Sequence, residues 1–466
     1  MHGVAMLVSF SVTNFLSFEN KQTISMNAGL VRKKSDRVYK DIYGNRLVKF
    51  AAIYGANASG KSNIIEAFAF SRAMIVHGLP SGSTKKYCRT TDENKKKSTA
   101  FEYVLLLGKQ KVKYCVILNL DKHCIEQEIL TEIVKGNEKP IFSRNIITQE
   151  CFIKKYKDSG LNNRLNMYIS DVKSENQILF LKLLNQNKAD LYATYSEVSI
   201  IKDLFGWFDK KLSVNFPDTF ISDYSYFLAK EKKEIISRVL RGYGTGIVGF
   251  SIEDNTKEMI NSNIPKELLD KIISKLQKSK TIDDNGKKEN DSFVILRTPG
   301  EFYIMQMDED DNVVSKTLQF SHMGSTSKFT IGEESDGTNR LMDLLTVLLD
   351  SRDDSVYVID EIDRRLHPQL TVKFIMDYLN LAGKRNIQLI VTSHETSLLD
   401  FKILRKDEVW FVNKERSISN IYPLENYPER FDKKIEYSYK DGEYGAIPVF
   451  EDIQGYLDDI NDNNSF

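Results

Sequence analysis

The sequence predicts a mixed α/β fold, and three features carry this prediction. A glycine-rich loop, Gly55–Ser62, lies between an apolar run that ends at Tyr54 and an apolar, helix-forming segment. Two later runs, Val356–Ile359 and Gln388–Val391, have the length and composition of strands covered on both faces of a parallel sheet. Residues 161–288 are rich in lysine and are predicted to be mainly helical. One sheet built from both ends of the chain, with the middle inserted, is the expected architecture.

The same reasoning divides the chain into three segments. Residues 1–160 are expected to form the first half of the main domain, including a β-rich lobe, and residues 289–466 its second half, on either side of the helical insertion at 161–288. Two further runs, Val48–Tyr54 and Glu408–Val412, could extend the sheet. In the N-terminal lobe, Phe101–Leu107 and Tyr114–Leu120 are interpreted as paired antiparallel strands.

Composition excludes several classes of protein. The chain has 466 residues, with 65 Lys plus Arg balanced by 65 Asp plus Glu, which argues against a generally basic nucleic-acid coat. A hydrophobic share of 41% excludes a mostly disordered chain. Neither a signal peptide nor a run of 18 apolar residues is expected, so the predicted location is the cytoplasm, without membrane attachment. The four cysteines form no C-x-x-C pair and predict no zinc site.

The glycine-rich loop matches a phosphate-binding pattern. Its sequence, Gly55-Ala-Asn-Ala-Ser-Gly-Lys-Ser62, fits G-x-x-x-x-G-K-[ST] in the strand-loop-helix context that the pattern requires. Gly55 and Gly60 permit backbone N–H groups to surround a phosphate, and the helix N-terminus adds partial positive charge. Lys61 is expected to reach the β- and γ-phosphates of a nucleoside triphosphate, and the Ser62 hydroxyl to ligate Mg²⁺.

Two acidic residues, Asp360 and Glu361, directly follow the run Val356–Ile359. In an open α/β sheet, the carboxyl ends of the parallel strands face the ligand. Asp360 is therefore expected to hold Mg²⁺, directly or through water. Glu361 is expected to orient and polarise an attacking water.

Two other segments contain candidate binding residues. Ser335 and Gly337 precede a helix with leucines on one face, and a helix N-terminus attracts anions, although an ordinary helix cap explains this segment equally well. His394 follows the run Gln388–Val391, where its imidazole could contact a γ-phosphate or the attacking water. A lone histidine is more often structural, but its position at a strand end favours a function.

In this order, the phosphate loop, the Ser-x-Gly segment, the Asp-Glu pair and the histidine resemble the motifs of ATP-binding cassette (ABC) ATPases, and more closely those of their soluble SMC-like relatives. Four tracts also resemble bacterial AAA-type, ABC-like ATP-binding proteins of the RloA and AbiL kind. These tracts are Phe10–Phe18, Tyr54–Asn63, Asp360–Pro368 and Asp441–Pro448. The resemblance implies an ABC/SMC-like P-loop ATPase head with a β-rich N-terminal lobe and a mainly helical insertion.

The resemblance also implies a head-to-tail homodimer or higher homo-oligomer. ATP and Mg²⁺ bound by one subunit would be covered by Ser335 and Gly337 of the other, with Asp363–Pro368, including His367, at the seam. Slow hydrolysis would depend on Lys61, Glu361 and His394. In the subunit that binds ATP, the residues implied to contact the nucleotide are Gly55, Asn57, Gly60, Lys61, Ser62 and Asn63.

Family members of this kind act in bacterial defence against phage, commonly beside a separately encoded effector that is often a nuclease. Two features of the family pattern are less clear in this chain. The glutamine usual in ABC sites is either Gln127 or Gln149, and the signature is Glu-Ser-Asp-Gly-Thr instead of Leu-Ser-Gly-Gly-Gln.

Four other functions fit the sequence less well. An OLD-type nuclease would add a metal-binding domain, for which the sequence after His394 is too short. An SMC-like DNA-repair or DNA-binding ATPase is the main alternative; lysines such as Lys210 and Lys230 could contact nucleic acid, but no sustained heptads are present. Glu361 argues against a non-hydrolysing scaffold, and the Ser-x-Gly signature and the histidine argue against a ring-forming AAA+ motor.

Overall fold

The structure, a computed structural model, describes most of the chain in ten ranges. They are residues 4–221, 224–255, 264–278, 281–282, 288–289, 293–297, 300–308, 312–349, 353–428 and 434–447. The chain forms two compact units: residues up to 217, 352–363 and from 375 onwards make the first, and residues 218–351 and 364–374 make the second. The predicted helical insertion, 161–288, spans this division.

A six-stranded sheet lies in the first unit, in the order β11-β19-β20-β5-β21-β22. Its strands are β5 (Phe50–Gly55), β11 (Leu212–Asn215), β19 (Val356–Ile359), β20 (Gln388–Thr392), β21 (Val409–Glu415) and β22 (Ile418–Pro423). The first five strands in that order pair in parallel, and β22 is antiparallel to β21. Both ends of the chain supply strands to this sheet, as predicted, and all four predicted runs contribute to it; β11, however, comes from the segment that was predicted to be a helical insertion.

A second, antiparallel sheet of seven strands completes the β-structure of this unit, apart from one two-stranded ribbon, in the part that the structure describes. Its order is β10-β9-β8-β7-β6-β1-β2, with β1 (Ala5–Thr13), β2 (Gln22–Ser25), β6 (Thr99–Leu107), β7 (Gln110–Asn119), β8 (Cys124–Val134), β9 (Asn137–Asn145) and β10 (Glu150–Ile153). The predicted pairing of β6 with β7 is confirmed. The ribbon consists of β3 (Tyr39–Lys40) and β4 (Arg46–Leu47).

Five α-helices of the described residues have 13 or more residues, namely α1 and four later ones. In chain order they are α1 (Lys61–His77), α2 (Ser159–Asp171), α3 (Phe180–Asn185), α4 (Ala189–Thr194), α5 (Ser199–Gly206), α6 (Lys233–Gly242), α7 (Lys266–Lys278), α8 (Asp336–Leu349), α9 (Pro368–Ala382) and α10 (Ile435–Lys440). Helix α1 is apolar on several sides, with Ile64, Phe68 and Met74 fully buried, as expected for a helix inside a core. One apolar cluster contains residues of α1 and of both sheets. This burial fixes the phosphate loop, because α1 begins directly after it.

The second unit contains its own antiparallel sheet, ordered β12-β17-β16-β15, with β18 paired to β17. Its strands are β12 (Ile247–Asp254), β15 (Phe293–Arg297), β16 (Phe302–Met307), β17 (Val313–His322) and β18 (Lys328–Thr330), and a separate ribbon joins β13 (Thr281–Ile282) to β14 (Lys288–Glu289). Helix α7 packs its apolar stripe, including Ile272 and Leu276, against this sheet's Tyr303 and Met305.

Among the residues that the structure describes, no helix is both long enough and apolar enough to span a membrane. Pro448, the last residue of the C-terminal tract named above, lies outside the described residues.

Candidate nucleotide-binding site

The predicted site residues of the first unit follow three neighbouring strands of the central sheet. The phosphate loop follows β5, Asp360 and Glu361 follow β19, and His394 follows β20. These strands are parallel and in register, with Ile359 opposite Val391 and Thr392 opposite Ile53. Their carboxyl ends therefore meet at one edge of the sheet, which is where α/β sheets bind ligands.

The phosphate loop has a backbone that requires glycine. Gly60 has φ of 110°, and a Cβ there would lie 2.4 Å from the Ser419 hydroxyl and 2.9 Å from that of Ser17. A Cβ on Gly55 would lie 2.4 Å from the carbonyl oxygen of Val412. Ala58 also has a positive φ, of 60°. The loop is thus held by β22 and β21 on one side while Asn57 and Ala58 remain exposed at its tip.

Lys61 lies inside the loop. Its side chain is buried, with 6% of the residue exposed, and Nζ donates to the carbonyl oxygens of Gly55 and Ala56 at 2.8 and 3.0 Å. Burial lowers the pKa of Lys61, while the carboxylates of Asp360 and Glu361 oppose that shift. The ammonium and the strand-end carboxylates are therefore within electrostatic reach of each other.

A threonine that sequence reasoning missed joins the two acidic residues to the neighbouring strand. The Thr392 hydroxyl donates to Asp360 Oδ1 at 2.5 Å and accepts from the Glu361 backbone N–H at 2.7 Å. Thr392 is fully buried, and Asp360 is 2% exposed. Glu361 has φ of 45°, a left-handed conformation that is uncommon outside glycine and is frequent at functional sites. The hydroxyl thus fixes both the carboxylate of Asp360 and the backbone from which Glu361 projects.

His394 lies at the exposed rim of the same edge. Its backbone N–H donates to both carboxylate oxygens of Asp363 at 3.2 Å. Partial burial, and next the positive charge of Lys61, lower the pKa of His394, although the three nearby carboxylates oppose the shift. The imidazole is therefore neutral at pH 7, with one nitrogen that donates and one that accepts.

A serine network behind the loop was also not foreseen. Asn63, expected at the nucleotide, donates from Nδ2 to the Ser17 hydroxyl at 2.7 Å. The Ser419 hydroxyl lies 2.7 Å from Ser17 Oγ and 2.6 Å from the Ser59 carbonyl oxygen. These contacts connect β22 and the N-terminal Phe10–Phe18 tract to the phosphate loop, which gives that tract a structural role.

The oxygen donors at this edge fit Mg²⁺ bound together with a nucleotide. Ser62 is exposed at the start of α1, and Asp360 supplies a carboxylate held by Thr392. No group of three or more His, Cys, Asp or Glu residues suited to a metal occurs in the described part of the chain. Mg²⁺ commonly takes few protein ligands, completing its shell with phosphate oxygens and water. Ser62 and Asp360 would hold it here.

Ser335 and Gly337 lie in the second unit, at the start of α8. The Ser335 hydroxyl accepts from the Thr338 backbone N–H at 3.1 Å, so Ser335 acts as the helix cap. A Cβ on Gly337 would lie 3.1 Å from the carbonyl oxygen of Arg365, a tight contact for any larger residue. Just before the cap, the Glu334 carboxylate lies 2.7 Å from His322 Nε2. The cap serine is exposed, which leaves this helix end accessible to a ligand or a second subunit.

His367 caps the next helix. Its Nδ1 accepts from the Gln369 backbone N–H at 3.2 Å, and Pro368 occupies the first position of α9, where its missing N–H has no cost. The loop before it contains exposed Arg364 and Arg365, which pair with Asp218 at 3.2 and 3.7 Å.

One candidate glutamine lies on the antiparallel sheet and the other in one of its turns. Gln127 is in β8, opposite Ile117, and Gln149 is in the exposed turn between β9 and β10. The main chain of a different residue, Asn215, contacts the acidic pair. Asn215 ends β11, is 6% exposed, and its carbonyl oxygen accepts from the Asp360 backbone N–H at 2.9 Å. The sequence signal for β11 was weak: four residues with two polar ones, directly after a lysine-rich stretch and shortly before Pro217.

The fold and the loop define a P-loop α/β protein. A family model described as "AAA domain, putative AbiEii toxin, Type IV TA system" matches residues 50–149 and 218–400. The match covers more than half of the chain, and the protein therefore belongs to this family of AAA domains. A search of curated proteins gave no significant match.

Solved structures show a distant likeness to SMC head domains. The Smc head domain of Pyrococcus furiosus, with an extended coiled coil and bound to the C-terminal domain of ScpA, is 14% identical, with 94% of this chain and 99% of that chain covered and a TM-score of 0.38. The SMC head domain of Thermotoga maritima is also 14% identical, with 90% and 98% covered and a TM-score of 0.31. For the Smc head domain of Pyrococcus yayanosii these values are 13%, 94%, 99% and 0.35.

Proposed function

We propose that the protein binds ATP with Mg²⁺ and hydrolyses it slowly in a head-to-tail dimer. The observation that carries this proposal is the convergence of Lys61, Asp360, Glu361 and His394 at one edge of the central sheet. In this arrangement Lys61 exchanges its loop carbonyls for the β- and γ-phosphates. Gly55, Asn57, Gly60 and Asn63 shape the loop around them.

The remaining residues have separate roles in hydrolysis. Glu361, whose backbone is fixed by Thr392, orients the attacking water and accepts its proton. Neutral His394 donates a hydrogen bond to the γ-phosphate or to that water. Mg²⁺, held by Ser62 and Asp360, supplies charge neutralisation at the phosphates when bound. Ser335 and Gly337 of a second subunit cover the nucleotide with the N–H groups of their helix end.

We further propose that this dimer is the sensor or regulator of a bacterial anti-phage defence system and controls a separately encoded effector. The family description names an AbiEii toxin and a toxin–antitoxin system. The tracts that resemble proteins of the RloA and AbiL kind point in the same direction. Slow hydrolysis suits a switch, because the long-lived ATP state can hold an effector until hydrolysis releases it.

The hydrolytic mechanism is tested by Glu361→Gln. This change removes the proton acceptor but keeps the size and the backbone contact of the residue. We expect phosphate release to fall by about two orders of magnitude or more. ATP binding should remain, and an ATP-bound dimer should accumulate. Phosphate release and light scattering after size exclusion measure the two effects.

Two variants serve as controls for that experiment. Glu93→Gln makes the same change at an exposed carboxylate and should match the parent, whereas Lys61→Ala should lose ATP binding and the ATP-dependent dimer. Turnover by Glu361→Gln at the parental rate would show that this carboxylate does not activate the water.

The defence role is tested by purifying the protein together with the products of its neighbouring genes, with and without ATP. Recovery of no such product in either condition would count against an effector.

A further inference from the structure

The C-terminal helix α10 contacts the segment that carries His394. The Thr396 hydroxyl donates to Glu436 Oε1 at 3.0 Å. Thr396 starts a short helical turn, Thr396–Leu398, two residues after His394, and the Glu395 side chain caps this turn by accepting from the Ser397 N–H. Glu436 therefore acts on the segment from outside the sheet, and the sequence gives no local sign of this contact.

The same helix contacts the start of the phosphate loop. Tyr439 packs edge-on against Tyr54, the residue before Gly55, with ring centroids 5.9 Å apart, and stacks on Phe411 at 5.7 Å. Tyr54 is fully buried, and its hydroxyl donates to the Glu395 carbonyl oxygen at 3.2 Å. Tyr54 thus joins the phosphate loop to the His394 segment, and α10 supports both.

Helix α10 is itself firmly attached. The Tyr439 hydroxyl donates to the carbonyl oxygen of Ala446 at 3.2 Å, and Tyr444 also stacks on Phe411, with ring centroids 4.9 Å apart. The Tyr422 hydroxyl donates to the Tyr444 carbonyl oxygen at 2.5 Å. Because both ends of this C-terminal segment are fixed to the sheet, Glu436 offers Thr396 a carboxylate in a defined position.

We propose that Glu436 is a positioning residue for ATP hydrolysis, acting through Thr396 to fix the segment that carries His394. This inference rests on the proposed function. Three residues outside the segment form hydrogen bonds with residues 394–396: Asp363 at the N–H of His394, Tyr54 at the carbonyl oxygen of Glu395, and Glu436 at the Thr396 hydroxyl. The last is a hydrogen bond to a charged acceptor, which is stronger than one between neutral groups.

The expected consequence is a selective loss of rate. A catalytic group displaced by about 1 Å can lose about 100-fold in rate. With two of the three contacts intact, we expect loss of the Glu436 contact to lower kcat about 10-fold. Binding of ATP depends on Lys61 and the loop, so the Kd for ATP should change little.

The test compares five variants with the parent, and one of them is a matched control. Glu436→Ala and Thr396→Val each remove the hydrogen bond between these two residues. The double variant removes the same single bond, so its loss of rate should not exceed that of a single variant. Glu436→Gln keeps a neutral acceptor and should recover part of kcat. Lys440→Ala is the control, because Lys440 pairs with the same Glu436 oxygen at 2.6 Å on the exposed surface and does not contact Thr396 in the described structure.

The expected result is that the double variant is no slower than either single variant, and that Lys440→Ala matches the parent. Losses of kcat that multiply in the double variant would overturn the proposal. A loss of kcat in Lys440→Ala equal to that in Glu436→Ala would also overturn it. Hydrogen–deuterium exchange at residues 393–399 gives a readout without turnover and should be faster in Glu436→Ala than in Lys440→Ala. Equal exchange in those two proteins would also overturn it. If the parent does not hydrolyse ATP but this exchange difference is still found, only the proposed function is rejected.

Discussion

At the scale of single residues, the ionisable groups far from the phosphate loop determine how the fold responds to pH. Glu408 directly precedes β21 and is 1% exposed. It lies at the amino ends of the parallel strands, whereas the phosphate loop lies at their carboxyl ends. Burial raises the pKa of Glu408 from 4.5 to about 7; Asp407 adds to this effect, while the backbone N–H of Arg405 and the charges of Arg405 and Arg37 oppose it.

This raised pKa predicts a loss of stability with rising pH. Between pH 4.5 and about 7 the folded protein keeps a proton on Glu408 that the unfolded chain has released, so this group's stabilising contribution is complete below 4.5 and disappears as pH passes 7. Glu408→Gln cannot titrate and should flatten that part of the profile. Urea unfolding at pH 5.5 and 8.5 measures it. Equal pH dependence in variant and parent would refute this assignment.

Residue-level chemistry was also where the sequence was most informative. The pattern around Lys61 requires glycines at fixed positions, and Asp360, Glu361 and His394 follow apolar runs whose ends must share an edge in a parallel sheet. By contrast, Ser419 meets Ser17 across 402 positions of sequence. A serine carries no pattern that reveals such a partner, because only the packing of β22 behind the loop selects it. Glu436 was missed for the same reason.

At the scale of elements, a buried ion pair attaches the helical region to the antiparallel sheet. Glu128 of β8 accepts from Arg144 of β9 at 3.3 Å, and both side chains are fully buried. Glu128 also accepts from the N–H groups of Phe180 and Leu181 at the start of α3, and Arg144 donates to the carbonyl oxygens of Val172, Glu175 and Ile178. The pair therefore forms hydrogen bonds with five backbone groups of the segment from Val172 to Leu181.

Glu128→Ala should therefore be strongly destabilising. It leaves Arg144 buried without its counter-charge, a change that typically costs about 3–5 kcal/mol. Glu138→Ala breaks an exposed pair with Lys113 on the same sheet and should cost less than about 1 kcal/mol. Urea unfolding compares the two variants. Similar losses in both would mean that the buried pair is not the attachment described above.

Element prediction failed where strands are short and tertiary contacts decide. Strand β11 has four residues, including Ser213 and Asn215, and forms only because β19 offers it a parallel partner. The runs that became β5, β19 and β20 could be predicted because burial on both faces requires nearly continuous apolar sequence. Strand β11 is the outermost strand of the central sheet, and its sequence is not continuously apolar.

At the scale of the whole molecule, the proposed dimer divides each ATP site between two subunits. Lys61 and Ser335 of one chain would then serve different sites. Ser335 is exposed, so Ser335→Arg should disable the ATP site of the partner subunit while costing the fold only about 1 kcal/mol for the lost helix cap. Lys61→Ala should remove nucleotide binding in its own subunit. Each variant alone is expected to lack ATPase activity.

Mixing the two inactive proteins should restore activity if the sites are shared. In a mixed dimer, Lys61 of the Ser335→Arg subunit faces the intact Ser335 of the Lys61→Ala subunit, which gives one complete site. Each mixed dimer has one complete site instead of two, so ATPase activity should rise to at most about half of the parental value. Ser327→Arg, at another exposed serine of the same unit, is the control and should remain active alone. If activity stays absent at every mixing ratio while mass measurements show mixed dimers, each subunit builds its site without Ser335 of its partner.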